Sequence, residues 1–128
     1  MPCPFCTMKP EYMVASNELA YAVRDLYPVN PGHTLVIPRR HAVTWFDATR
    51  EEQLAILELV DQIKAELDAG DSPPDAYNFG VNVGPLAGQS VMHLHLHLMP
   101  RYQGDVPGVG AGVRMCVPDR SGYTAPTE

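Results

Sequence analysis

The 128-residue chain predicts an α+β fold, an antiparallel sheet with one main helix. Three observations point there. One segment combines a helix start, helical apolar spacing and a helix stop. Short apolar runs rich in β-branched residues lie on both sides of it. The gaps between those runs are of hairpin length, which favours antiparallel pairing over parallel crossovers. No internal repeat and no long linker divides the chain. We therefore expect one domain over 1–128, with a Gly/Pro-rich tail over 106–128.

The elements follow in order. Tyr12–Ala15 and Leu19–Arg24, joined by Ser16-Asn17-Glu18, read as a hairpin. Two prolines and a glycine make Tyr27 to Gly32 a loop. His33–Pro38, HTLVIP, is β-branched and extended. Thr49 and Glu52 have capping-box spacing, a hydroxyl followed three residues later by a carboxylate. Leu54, Leu57, Val60, Ile63 and Leu67 then recur as one apolar stripe for the core. Gly70 stops the helix and Pro73-Pro74 prevents its restart. Asn78–Val83 and Val91–Met99 are strand candidates around the loop Gly84–Gln89, and Val113–Val117 is a possible short strand.

Composition narrows the function. The net charge of −6 argues against a nucleic-acid polymer, whose phosphate backbone needs a basic footprint. A small phosphate ligand stays compatible, because local N–H groups and imidazoles can hold one anion. The start MPCPFCTMKP has no apolar run behind a basic segment, so no secretory leader is expected. Glu58, Asp61 and Lys64 interrupt the helix, so no membrane span is expected either. The acidic balance fits a cytoplasmic small-molecule enzyme. Three cysteines are an odd number, and two form Cys3-Pro4-Phe5-Cys6. Reduced thiols for metal or redox use fit that better than a disulfide framework.

The most informative stretch is HLHLHLMPR, from His93 to Arg101. In a strand, His93, His95 and His97 share one face and Leu94, Leu96 and Leu98 the other. The leucines can seal a core; the imidazoles, about 7 Å apart, face an open or polar side. Solvated histidines on an edge strand are the bland reading. A histidine metal site is another, though the flanks offer no carboxylate before Asp105. The third is nucleophilic attack on phosphorus, with one ring held in its tautomer by a partner and other donors on the phosphate oxygens. His95, with an imidazole on either side, suits the nucleophile. The loop from Asn82 to Ser90 supplies amides and a hydroxyl beside it.

These residues resemble the histidine triad (HIT) family, whose signature alternates three histidines with apolar residues. His93 to Met99 matches it at every position, and Pro31 to His41 matches a second marker segment. Asn82, Gly88 to Val91, Pro100-Arg101 and Asp105 agree with it. Pro-Arg and Gly-Asp after the triad resemble the dinucleoside polyphosphate hydrolase branch. The resemblance implies a hydrolase acting at the α-phosphorus of nucleoside phosphate derivatives, dinucleoside polyphosphates or phosphoramidates, through a covalent nucleotidyl-histidine. It implies His95 as nucleophile, with His97 against phosphate and leaving-group oxygens. The His93 carbonyl accepts from the His95 ring, and His33 completes the set. It places Asn82, Gly88, Gln89 and Ser90 on phosphate or leaving-group oxygens, and Asp25 on ribose hydroxyls. Phe5, Val23 and Leu26 line a purine pocket, for which core packing is the competing role. A homodimer with the sheet continued across its interface is expected, and no catalytic metal.

The resemblance also implies a structural zinc on Cys3, Cys6, His41 and His93, tying the N-terminus to the sheet. Two idle thiols are the alternative; a redox pair is disfavoured because Pro10 spoils a following helix. Cys116 reads as a small buried hydrophobe. Two other functions stay open: a zinc-stabilised nucleotide-binding or sensor module with little turnover, and metal-dependent hydrolysis at the histidines.

Overall fold

The computed structural model describes residues 2–108 and 110–120. Five strands make one antiparallel sheet: β1 (Met13–Ser16), β2 (Ala20–Arg24), β3 (Thr34–Pro38), β4 (Ala76–Gly80) and β5 (Leu96–Arg101). Their order is β1-β2-β3-β5-β4, and one helix, α1 (Arg50–Asp68), packs on the sheet. This is the α+β arrangement the sequence predicts. Asn17 makes the first hairpin: its Oδ1 accepts from the N–H groups of Leu19 and Ala20.

Alternation gives the sheet two apolar faces. Ala20, Ala22, Val36, Leu94, Leu96 and Leu98 pack against Ile56, Leu59, Val60 and Ile63 of α1. On the opposite face Tyr21, Val23, Leu35 and Ile37 lie under Phe5, Met8 and Met13 of the N-terminal segment. The Thr49–Glu52 capping box is present, with Glu52 Oε1 accepting from Thr49 N–H at 2.8 Å. The same buried carboxylate takes two N–H bonds from Arg40, both 2.9 Å, which hold its pKa below the usual range and tie α1 to the loop after β3.

Five expectations are corrected. The apolar stripe does not run through Leu54 and Leu57, which are 58% and 40% exposed; Ala55, Ile56, Leu59, Val60 and Ile63 are buried instead. Three successive steps of three lose about 60° each at 100° per residue, so Leu54 ends opposite Ile63. β4 lies at Ala76–Gly80 rather than Asn78–Val83, because Ala76 pairs with Arg101 and Gly80 with His97. β5 lies at Leu96–Arg101 rather than Val91–Met99. Before it the chain bonds to the loop after β3, Leu94 N–H donating to Ala42 O at 2.7 Å. The strand tolerates Pro100 because β3 pairs only with Leu96 to Leu98, leaving that residue one strand neighbour. Finally, Val113–Val117 is no strand: Gly112–Cys116 is a 3-10 turn, entered through the positive φ of Gly110 and Gly112, and Cys116 on it is exposed rather than buried. Of the expected tail, residues 109 and 121–128 lie outside the described residues.

Candidate active site

β3 and the segment entering β5 gather four histidines, and the backbone fixes the tautomer of three. Gly32, at φ +93°, turns the chain into β3; a Cβ there would meet Leu67 and Pro100 at 3.0 and 3.1 Å. That turn presents His33, whose Nδ1 accepts from the Val29 N–H at 3.0 Å. Its proton therefore sits on Nε2, which donates to His97 Nδ1 at 3.0 Å. His97 in turn keeps its own proton on Nε2. Asp25 Oδ2 lies 3.3 Å from His33 Nε2 and 3.9 Å from His97 Nδ1, against these rings.

His95 is fixed separately. Its Nδ1–H donates to the His93 carbonyl at 2.9 Å, which leaves the Nε2 lone pair uncommitted. Its ring lies 5.2 Å from those of His97 and Phe5. His93 is fully buried, and its Nε2–H donates to the Pro38 carbonyl at 2.8 Å. Its Nδ1 lone pair consequently faces Cys3 Sγ at 3.3 Å and Cys6 Sγ at 3.5 Å. Burial lowers the pKa of His33, His93 and His97, the last to about 4, so all three rings are neutral at pH 7.

Cys3, Cys6, His41 and His93 bring four ligand atoms within 4.8 Å of one another, and His41 Nδ1 is 3.2 Å from Cys6 Sγ. Tetrahedral zinc with ordinary bond lengths separates sulfur and nitrogen by about 3.5 Å, so the donor set fits that ion. A second trio, Asp25, His33 and His97, is equally close. There the Val29 amide occupies His33 Nδ1, so Nε2 carries a proton and is no ligand.

The remaining candidates divide. Phe5 and Val23 belong to the apolar cluster beside the rings. Leu26 is 87% exposed and stands outside it. Asn82 Nδ2 reaches Gly88 O at 3.4 Å. Gln89 commits its whole amide to backbone: Oε1 accepts from Gly84 N–H, and Nε2 donates to Val43 O and Val91 O. It holds the loop's shape. Ser90 is exposed, and Gly88 adopts φ +101°. Sequence reasoning missed the Val29 amide and the Pro38 carbonyl; backbone groups carry no residue-type signal. Gly32 was visible, as the glycine before a β-branched strand.

Residues 7–104 match the family model described as HIT domain. The chain belongs to the HIT family. With membership comes nucleotidyl hydrolase or transferase activity. An AP-4-A phosphorylase of Mycobacterium tuberculosis is 39% identical over 94 residues, 73% of this chain but 48% of that protein. A HIT family protein of Bacillus anthracis superposes with TM-score 0.75 at 34% identity, over 88% of this chain and 83% of its own. A zinc-bound histidine triad family protein of Mycobacterium smegmatis gives 0.74 at 32%, over 80% and 77%. The HIT match begins at residue 7, so the Cys-x-x-Cys lies just outside it.

Proposed function

We propose that this HIT protein is a single-domain hydrolase that cleaves nucleoside phosphate derivatives at the α-phosphorus through a nucleotidyl-His95 intermediate. The relatedness to an AP-4-A phosphorylase supports the nucleotide half of the substrate. The observation that carries the reading is the 2.9 Å bond from His95 Nδ1–H to the His93 carbonyl. It commits Nδ1 to a carbonyl that can stabilise positive charge on the adduct, and it leaves Nε2 as the ring nitrogen open to phosphorus.

The steps follow from these positions. His95 Nε2 forms an N–P bond, and the leaving group departs with the electron pair of its bond to phosphorus. The adduct is an imidazolium whose Nδ1–H still donates to His93 O. Water then attacks phosphorus, releases its proton to solvent, and His95 Nε2 departs with its electron pair. His97, its Nδ1 engaged by His33, offers Nε2–H to phosphate or leaving-group oxygens. Phe5 and Val23 form the side against which a purine packs, and Asn82, Gly88 and Ser90 lie on the loop beside the phosphate. Asp25 would reach the ribose hydroxyls only by sharing itself with His33.

Cys3, Cys6, His41 and His93 are the proposed structural zinc ligands, supported by the zinc-bound relative and the donor geometry. Zinc held by these four residues would fasten the N-terminal segment to the sheet. His93 would then join two structures, its ring facing the cysteines and its carbonyl accepting from the His95 ring. A homodimer formed along β4 and cytoplasmic residence complete the proposal; no helix among the described residues is long and apolar enough to cross a membrane.

Mass spectrometry of an acid-quenched reaction with adenosine 5′-phosphoramidate tests the reading. An adenylyl group on a peptide containing His95, absent in His95→Ala, is expected. Full hydrolysis by His95→Ala would overturn it.

A further inference from the structure

The Val29 amide, which sets the His33 tautomer, sits on a loop that burial does little to hold. Leu26, Tyr27 and Val29 are each more than half exposed. The base of the loop is closed where Asp25 N–H donates to His33 O at 3.0 Å. Its far end is a four-residue turn, in which His33 N–H donates to Asn30 O at 3.1 Å. Pro31 and Gly32, the latter at φ +93°, take the two central places as in a type II turn.

What fastens this turn, among the described residues, is the segment at the end of β5. Asn30 Nδ2 donates to Pro100 O at 3.0 Å and to Asp105 Oδ2 at 2.7 Å. A carbonyl and a carboxylate can only accept, so the Asn30 amide must present its NH2 group there. The Tyr102 hydroxyl donates to Pro31 O at 3.0 Å. Asp105 is itself a fixed anchor. Arg101 Nε and Nη2 donate to its two oxygens at 2.8 and 2.9 Å, and Tyr102 N–H adds a third bond at 3.1 Å. Arg101 Nη1 also donates to Asn78 Oδ1 at 2.8 Å, which ties the anchor to β4.

We propose that Asn30 is a positioning residue for the reaction: clamped to Asp105 and Pro100, it holds the Val29 amide on His33 and so keeps His97 in its Nε2–H tautomer. The inference rests on the proposed transfer through His95, in which His97 offers that proton to phosphate or leaving-group oxygens. Without the clamp the exposed loop is free to turn the Val29 N–H toward water. His33 Nδ1 then loses the donor that keeps its own proton on Nε2. A His33 ring with its proton on Nδ1 presents a lone pair to His97 Nδ1, and His97 answers by protonating Nδ1 and baring Nε2. The nucleoside side of the site, at Phe5 and Val23, is untouched by this change. Loss of the clamp therefore acts on kcat more than on KM.

The test reads His33 and His97 in long-range ¹H–¹⁵N spectra of the full chain at neutral pH, beside kcat and KM for adenosine 5′-phosphoramidate. Both rings should be Nε2–H in the wild type. Asn30→Ala should keep the circular dichroism spectrum, mix both tautomers, lower kcat about tenfold and leave KM within about twofold. Tyr102→Phe removes a single hydroxyl; it should move the same readouts less and serves if Asn30→Ala does not fold. Asn30→Ala combined with Asp105→Ala should lose no more kcat than the poorer single variant, because both cut one clamp. Unmixed Nε2–H tautomers in the folded variants overturn the inference, even where the melting temperature falls, since Asn30 then serves stability alone. Mixed tautomers with wild-type kcat overturn it as well. A wild type that forms no His95 adduct by mass spectrometry overturns the reaction beneath it, and the tautomers still decide whether the clamp sets the rings.

Discussion

His97 shows how a buried side chain makes stability depend on pH. Burial lowers its pKa from 6.5 to about 4, with His95 and His33 pushing the same way and Asp25 opposing. The folded state holds this ring neutral where the unfolded chain would protonate it. The unfolded state therefore binds more protons between pH 6.5 and 4, and stability falls as pH drops through that window. Above 6.5 the contribution is complete. A shift of this size is of the order of 3 kcal/mol at most. Urea unfolding at several pH values should show the decline, and His97→Asn should flatten it. A second prediction concerns the tautomer chain from Val29 through His33 to His97. Replacing His33 by Phe removes the donor on His97 Nδ1 without removing the ring volume. The wild type should show His97 protonated on Nε2 in long-range ¹H–¹⁵N spectra. His33→Phe should mix the tautomers and lower kcat by at least about tenfold. A variant with full kcat and a single Nε2–H tautomer would show that His33 does not fix the ring. The triad itself was legible because period-two alternation places the three side chains by number alone. What holds each ring was not, because carbonyls and amides look alike at every residue.

In α1 the legible and the hidden parts lie side by side. Thr49 and Glu52 announced the helix start, since a capping box is a local pattern that needs no tertiary partner. The face it buries was misread, because Leu54 and Leu57 are as apolar as the residues that reach the core. The third prediction separates the faces. Ile56→Ala empties a fully buried site and should cost about 2–5 kcal/mol in chemical denaturation, whereas Leu54→Lys should stay within about 0.5 kcal/mol. The tail was hidden for another reason. Val113–Val117 has strand composition, but the glycines before it turn the chain, and it packs as the wall of a cavity. The N-terminal segment gives the fourth prediction. Cys3 and Cys6 flank Phe5, whose carbonyl also accepts from the Tyr21 hydroxyl at 2.5 Å, and whose ring lies against His95. Elemental analysis should find one zinc per chain in the wild type and none in Cys6→Ser, and the variant should raise KM more than it lowers kcat, because His95 keeps its bond to the His93 carbonyl. Equal KM with zinc lost would separate the clip from the nucleotide side of the site.

Among the described residues, one edge of the sheet has no partner strand. Among the described strands β4 has a neighbour only in β5, so its outer N–H and C=O groups form an open edge. β1, at the other end, is four residues long and interrupted by a register shift, a shape that blunts pairing. β4 carries no such device. Phe79, on the helix side of this edge, is 55% exposed. Leu57 is also exposed, and it shares a face of α1 with Lys64, whose carbonyl accepts from the Tyr77 hydroxyl of β4. A lone chain with these features would be prone to uncontrolled pairing. A second copy, placed with its own β4 antiparallel to the first, satisfies both and closes by two-fold symmetry. The fifth prediction is that analytical ultracentrifugation at micromolar concentration gives twice the chain's 14.1 kDa. Phe79→Lys combined with Leu57→Lys should yield a monomer with the same far-ultraviolet spectrum, because neither side chain is part of the buried core. A wild-type monomer at tens of micromolar would leave the β4 edge needing another cover.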